Sequence, residues 1–144
     1  MAKLLWEPKQ DRIERTNIYR FMEGINQKYT LDISDYPSLH KWSVENIADF
    51  WASFWEFSGV ISSAAYEEVV DDLDKMPGAK WFSGARLNFA ENLLRYRDDQ
   101  TALIFKGEAL EPVRMTYAEL YDEVARVAFS LREAGVQTGD RVVG

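Results

Sequence analysis

Residues 116–143 read TYAELYDEVARVAFSLREAGVQTGDRVV, and this stretch decides the fold class. Thr116 and Glu119 stand at capping-box spacing: a hydroxyl that accepts the third helical N–H, and a carboxylate that reaches back to the N–H of the cap itself. Behind them Tyr117, Leu120, Tyr121, Val124, Val127, Ala128 and Leu131 recur at the helical period, and Gly135 supplies the residue that ends a helix. After Gly139-Asp140, the run Arg141-Val142-Val143 reads as the opening of a buried strand. Two strands are expected ahead of the helix, over Thr101–Lys106 and Leu110–Met115. Gly107 begins the turn between them, and Pro112 confines the second to an edge or a bulge because proline has no N–H to donate. Strand, helix, strand is how an α/β sheet opens, so the class is α/β, read as α+β over these residues because the sheet is left incomplete.

The residues before this stretch are mainly helical. Ile18, Phe21, Met22, Ile25 and Tyr29 place a helix from Thr16 or Asn17 to Tyr29, with Gly24 a weak point inside it. A second helix is predicted from a Ser43 cap to Gly59, with Glu45 near its positive end and one apolar stripe of Val44, Ile47, Ala48, Trp51, Phe54 and Trp55. Phe50 and Phe57, one heptad apart, point to another side, so this helix must be covered on both. Tyr66–Val70 reads as a short strand or the start of a helix, and Pro77-Gly78 as a turn. Asn88 and Glu91, at capping-box spacing, predict a short helix to about Tyr96.

Composition narrows the function classes. A chain of 144 residues that is 47% hydrophobic is long enough for a real core, and five Trp, seven Tyr and eight Phe predict large buried surfaces. A net charge of −7 provides no basic field for phosphate backbones or anionic lipid, so nucleic acid and membrane are not expected partners. The absence of cysteine excludes disulfides, a thiolate nucleophile and zinc–thiolate ligation within the chain. No apolar run approaches membrane-spanning length, and the first residues lack the apolar stretch of a signal peptide, so a cytoplasmic protein is expected.

Two groups of segments carry a family likeness. Thr116–Leu120 through Gly135–Val142 resembles the early part of AMP-forming acyl-CoA synthetases and their adenylating relatives. Leu5-Trp6-Glu7-Pro8, Asp35-Tyr36, Leu39–Glu45, Phe50-Trp51 and Lys80–Asn92 are similar to the opening of acetoacetyl-CoA synthetases, with acetyl- and propionyl-CoA synthetases sharing a looser version. The resemblance implies an N-terminal extension over residues 1–99 and the start of the adenylating domain over 100–144. It also implies a ligase that joins acetoacetate to the α-phosphate of ATP and then passes the acyl group to CoA, with Mg²⁺ and a lysine neutralising phosphate charge. The family's Ser/Thr/Gly-rich phosphate loop, its Tyr-Gly-x-Thr-Glu and Arg-Thr-Gly-Asp segments and its C-terminal catalytic lysine match no position here. Catalytic, cofactor-binding and metal-binding residues are therefore all assigned as none.

Each chemically suggestive group has a plainer reading. Ser83-Gly84-Ala85-Arg86 offers a hydroxyl, a glycine and a cation, but a phosphate cradle needs several successive free N–H groups, so a turn is expected. Asp71, Asp72 and Asp74 lack the spacing and glycine of a calcium loop and read as a solvated face. His40, the only histidine, cannot form a triad or a multi-histidine metal site within the chain. Glu67 and Glu68 point apart in a strand and make a poor carboxylate pair. Trp42, Trp51, Phe54, Trp55, Trp81 and Phe82 read as packing rather than a ligand pocket. The expectation is an N-terminal segment inactive by itself, whose packing partner is the remainder of the adenylating domain, and which self-associates through an open sheet edge. A self-standing binding or regulatory module would call for polar residues at Phe50, Phe57 and the final strand. A small independent enzyme would call for a phosphate loop or an acid–base pair.

Overall fold

The structure is a computed structural model that describes residues 5–143; Met1–Leu4, the first residues read for a signal peptide, and Gly144, the last residue of the expected adenylating segment, lie outside the described residues. The chain divides into two units between Leu87 and Asn88, each described by itself.

The first unit runs α1 (Gln10–Glu14), α2 (Asn17–Tyr29), α3 (Tyr36–Glu45), α4 (Ile47–Ser58), β1 (Glu68–Val70) and β2 (Trp81–Ser83). Helix α2 forms where its periodicity predicts, with the Thr16 hydroxyl accepting from the Tyr19 N–H at 3.3 Å. It ends at Thr30, whose φ of 55° is unusual for a β-branched residue. Asn26 holds that turn. Its carbonyl accepts from the N–H groups of Thr30 and Leu31, and its carboxamide both accepts from Ile33 N–H and donates to Ile33 C=O, each at 2.8 Å.

The helix predicted from Ser43 to Gly59 is two helices, which corrects the sequence reading. Helix α3 opens on Asp35, which accepts from the Ser38 N–H at 2.8 Å while the Ser38 hydroxyl accepts from the Asp35 N–H, with Pro37 in the first turn. Ser43 lies inside α3 and donates to the His40 carbonyl instead of capping, and Glu45 is the last residue of α3. The break falls at Asn46, with φ −130° and ψ 56°, whose amide donates to the Trp42 carbonyl. Gly59, at φ 62°, ends α4 as expected.

Helix α4 makes ring contacts on two sides within this unit, while Trp51, Phe54 and Phe57 remain exposed. Phe50, Phe54 and Phe57 surround the Phe21 ring at 5.8, 6.0 and 5.1 Å. Trp51 meets Trp81 at 5.9 Å, and Trp55 meets Phe82 and Tyr66 at 4.5 and 5.5 Å. Phe54 thus sides with Phe50 and Phe57, because positions four and seven apart return to one face. The core consists of Phe21, Met22, Ile25, Ile33 and Leu39. Among the described residues the one buried polar side chain is Ser53, which shares a 3.1 Å hydroxyl hydrogen bond with Tyr29. Strands β1 and β2 pair antiparallel, Glu68 opposite Ser83 and Val70 opposite Trp81, so of Tyr66–Val70 only Glu68–Val70 forms strand, and Tyr66 and Glu67 precede it.

The second unit runs α5 (Phe89–Leu93), β3 (Thr101–Phe105), β4 (Val113–Thr116) and α6 (Tyr117–Glu133). The Asn88 side chain caps α5, accepting from Glu91 N–H at 3.2 Å, and the helix stops at Leu93, short of Tyr96. Strands β3 and β4 form an antiparallel hairpin, with an irregularity between Thr101 and Leu103. The second strand begins after Pro112, at Val113 rather than Leu110. The capping box of α6 is complete: Glu119 N–H donates to the Thr116 hydroxyl at 3.2 Å, and Thr116 N–H donates to the Glu119 carboxylate at 2.8 Å. The strand expected at Arg141–Val143 is not formed, a second correction. These residues carry no secondary structure, and Val143 is 93% exposed. A strand exists only where its backbone finds a neighbour, and among the described residues none pairs with it. Among the described residues, no helix is long and apolar enough to cross a membrane.

Candidate functional site

The Ser83–Arg86 segment is a turn whose backbone is tied to neighbouring segments of the unit. Gly84 has φ 87°, Ala85 N–H donates to Phe82 C=O, and Arg86 N–H donates to Ala64 C=O at 3.2 Å. Ser63 returns the link, its N–H donating to the Arg86 carbonyl at 2.7 Å. A Cβ at Gly84 would meet Glu67 Cγ at 3.1 Å, so an acidic side chain lies across the glycine. An anion approaching the glycine meets the Glu67 carboxylate. The N-terminus of α6 is closed in the same sense. Tyr117 and Ala118 donate to the Gln100 and Asp98 carbonyls, and Glu119 donates to Thr116.

The three aspartates close a loop. Asp71 accepts from Lys80 N–H at 2.8 Å and pairs with Lys75 Nζ at 2.8 Å, while Asp72 accepts from Asp74 N–H at 3.0 Å. The Lys75 hydrogen bond, followed by the Lys80 N–H, holds the Asp71 carboxyl below the usual carboxylate value. Among the described residues no group of three or more His, Asp or Glu is placed to hold a metal ion. Glu67 and Glu68 are both exposed, Glu68 opposite Ser83 and Glu67 over Gly84.

The aromatic residues singled out in the sequence do not converge on one pocket. They wrap α4: Trp42 touches Tyr29 and Phe50, Trp51 touches Trp81, and Trp55 touches Phe82. One concavity lies between α2, α3 and α4, a groove of about 430 Å³ lined chiefly by Phe21, Leu39, Phe50, Phe54 and Phe57. His40 stands on its rim, exposed, with its ring 6.2 Å from Tyr36 one turn earlier. The groove brings together Phe54 and His40 from the sequence candidates and adds Phe21 and Leu39, which sequence reasoning had not singled out as site residues. The Phe50–Phe57 heptad was the further sequence signal for it. The walls are chiefly aromatic and aliphatic, which suits apolar surface, with polar side chains of α3, His40 and Ser43, beside them.

Comparison with known proteins places this geometry. Residues 36–93 match the family described as acetyl-coenzyme A synthetase N-terminus, and residues 89–143 match the AMP-binding enzyme family. Acetoacetyl-CoA synthetase from Macaca fascicularis is 44% identical across 99% of this chain, and that from Danio rerio 42% across the same share. The solved structure of acetoacetyl-CoA synthetase from Streptomyces lividans superposes with a TM-score of 0.84 at 40% identity, covering 98% of this chain. The chain spans 21% of the two relatives' length and 22% of that solved chain. The likeness seen in Leu5–Asn92 and Thr116–Val142 is homology across nearly the whole chain, and the mixed helix-and-strand fold is that of the corresponding part of such an enzyme.

Proposed function

We propose, from a chain that matches the N-terminal portion of acetoacetyl-CoA synthetase-like ligases, that it is the scaffold of an acetoacetate–CoA ligase. The observation that carries this is identity of 44% over 99% of the chain, with a matching backbone at 40% identity over 98%. In that reading residues 1–99 form an extension, and residues 100–144 open the adenylating domain, which packs against them. The complete cytoplasmic enzyme activates acetoacetate with ATP and Mg²⁺ to an acyl-adenylate, releases pyrophosphate, and passes the acyl group to CoA with loss of AMP. The part of these residues is to hold the adenylating domain's first hairpin and helix in place. The backbone-tied turn at Ser83–Arg86 and the closed N-terminus of α6 support a positioning role over a catalytic one. An acetyl-CoA synthetase is the second reading, favoured by the family match over residues 36–93.

Two experiments test this. Calorimetric titration of the purified chain with Mg-ATP and acetoacetate, alongside an AMP-release assay, should show neither binding nor turnover. Saturable nucleotide binding would place a site within these residues and overturn the scaffold reading. Exchanging the corresponding first fifth of the Streptomyces lividans synthetase for this chain should preserve acetoacetate-dependent AMP release. A folded chimera without that activity, or one that prefers acetate, would overturn the assignment to acetoacetate. The isolated chain is also proposed to self-associate through the exposed strand β3, and a concentration-independent monomer in sedimentation would refute that.

A further inference from the structure

We draw no further inference here: the strongest candidate, the aromatic groove between α2, α3 and α4 lined by Phe21, Leu39, Phe50, Phe54 and Phe57, is an unpartnered apolar face, and nothing in the structure shows what covers it.

Discussion

Residues 5–87 and residues 88–143 both contain a well-capped amphipathic helix, yet only the first stretch encloses a core. In the first unit Phe21, Met22, Ile25, Ile33 and Leu39 are all buried, with Ile25 only 1% exposed. In the second no described residue is buried, and Ile104, Phe105, Val127 and Phe129 each remain more than half exposed. Helix α6 is longer than α2 and carries the more complete cap, so local helix quality does not account for the difference. What differs is the number of apolar faces that converge. Three helices and a ribbon close around Phe21 and Trp55, whereas α6 has a two-stranded hairpin on one side. A cap fixes where a helix starts, and burial requires a second and third surface.

The comparison can be broken most directly by truncating one side chain in each unit. Phe21→Ala should lower stability by about 3–5 kcal/mol, because it empties the centre of the ring cluster. Val127→Ala, on an exposed face of α6, should change it by less than about 0.5 kcal/mol. Urea unfolding of the two variants checks this, and equal losses would mean that the second unit has a core after all. Asn26→Ala comes next. It removes both hydrogen bonds to Ile33 and should cost about 1–3 kcal/mol, since it leaves a partly buried N–H and C=O without partners. The Ile33 amide should lose its hydrogen-exchange protection first.

Within the second unit, Thr116→Ala should cost about 1 kcal/mol by removing the acceptor of Glu119 N–H. Exchange should accelerate in the first turn of α6 and leave α2 unchanged. The smallest effect is at Asp71. Its carboxyl pKa is lowered on folding, so its stabilising contribution is present above the ordinary carboxylate pKa and is lost as pH falls through the lowered folded value. Carboxyl NMR should find Asp71 titrating below the ordinary aspartate value, and Lys75→Ala should move it back towards that value. No change on removing Lys75 would contradict the pairing.

How much of this was legible in the sequence differs between the units. In the second, the Thr116–Glu119 box, Asn88 and Gly135 were readable because each acts within four residues of chain. The Arg141–Val143 strand was not, because a strand is defined by its neighbour and not by its own residues. In the first unit, α2 and the Gly59 stop were legible. Helix α3 was missed because its box closes with Ser38 where glutamate or glutamine is the usual signal, and because Pro37 reads as a breaker unless it is recognised in the first turn. The break at Asn46 was hidden by an unbroken apolar pattern on either side of it. Of the groove, the Phe50–Phe57 heptad, the α2 stripe with Phe21, and Phe54 and His40 as separate candidates were readable, but not their convergence. Phe21 and Leu39 join the groove from α2 and α3, on either side of the turn that Asn26 holds.

The placement of the rings around α4 has an optical consequence. All five tryptophans, Trp6, Trp42, Trp51, Trp55 and Trp81, fall in the first unit, while the second carries only Tyr96, Tyr117 and Tyr121 as phenolic chromophores. Emission excited at the red edge of indole absorption is therefore a reporter of one half of the molecule. The Trp51–Trp81 pair, with centroids 5.9 Å apart, is close enough for its transitions to couple and to give that half its own near-ultraviolet dichroic signature. Far-ultraviolet dichroism sums the peptides of both halves. Melting one sample and recording both signals separates the two units without a label, because the chain already carries its dye on one side only.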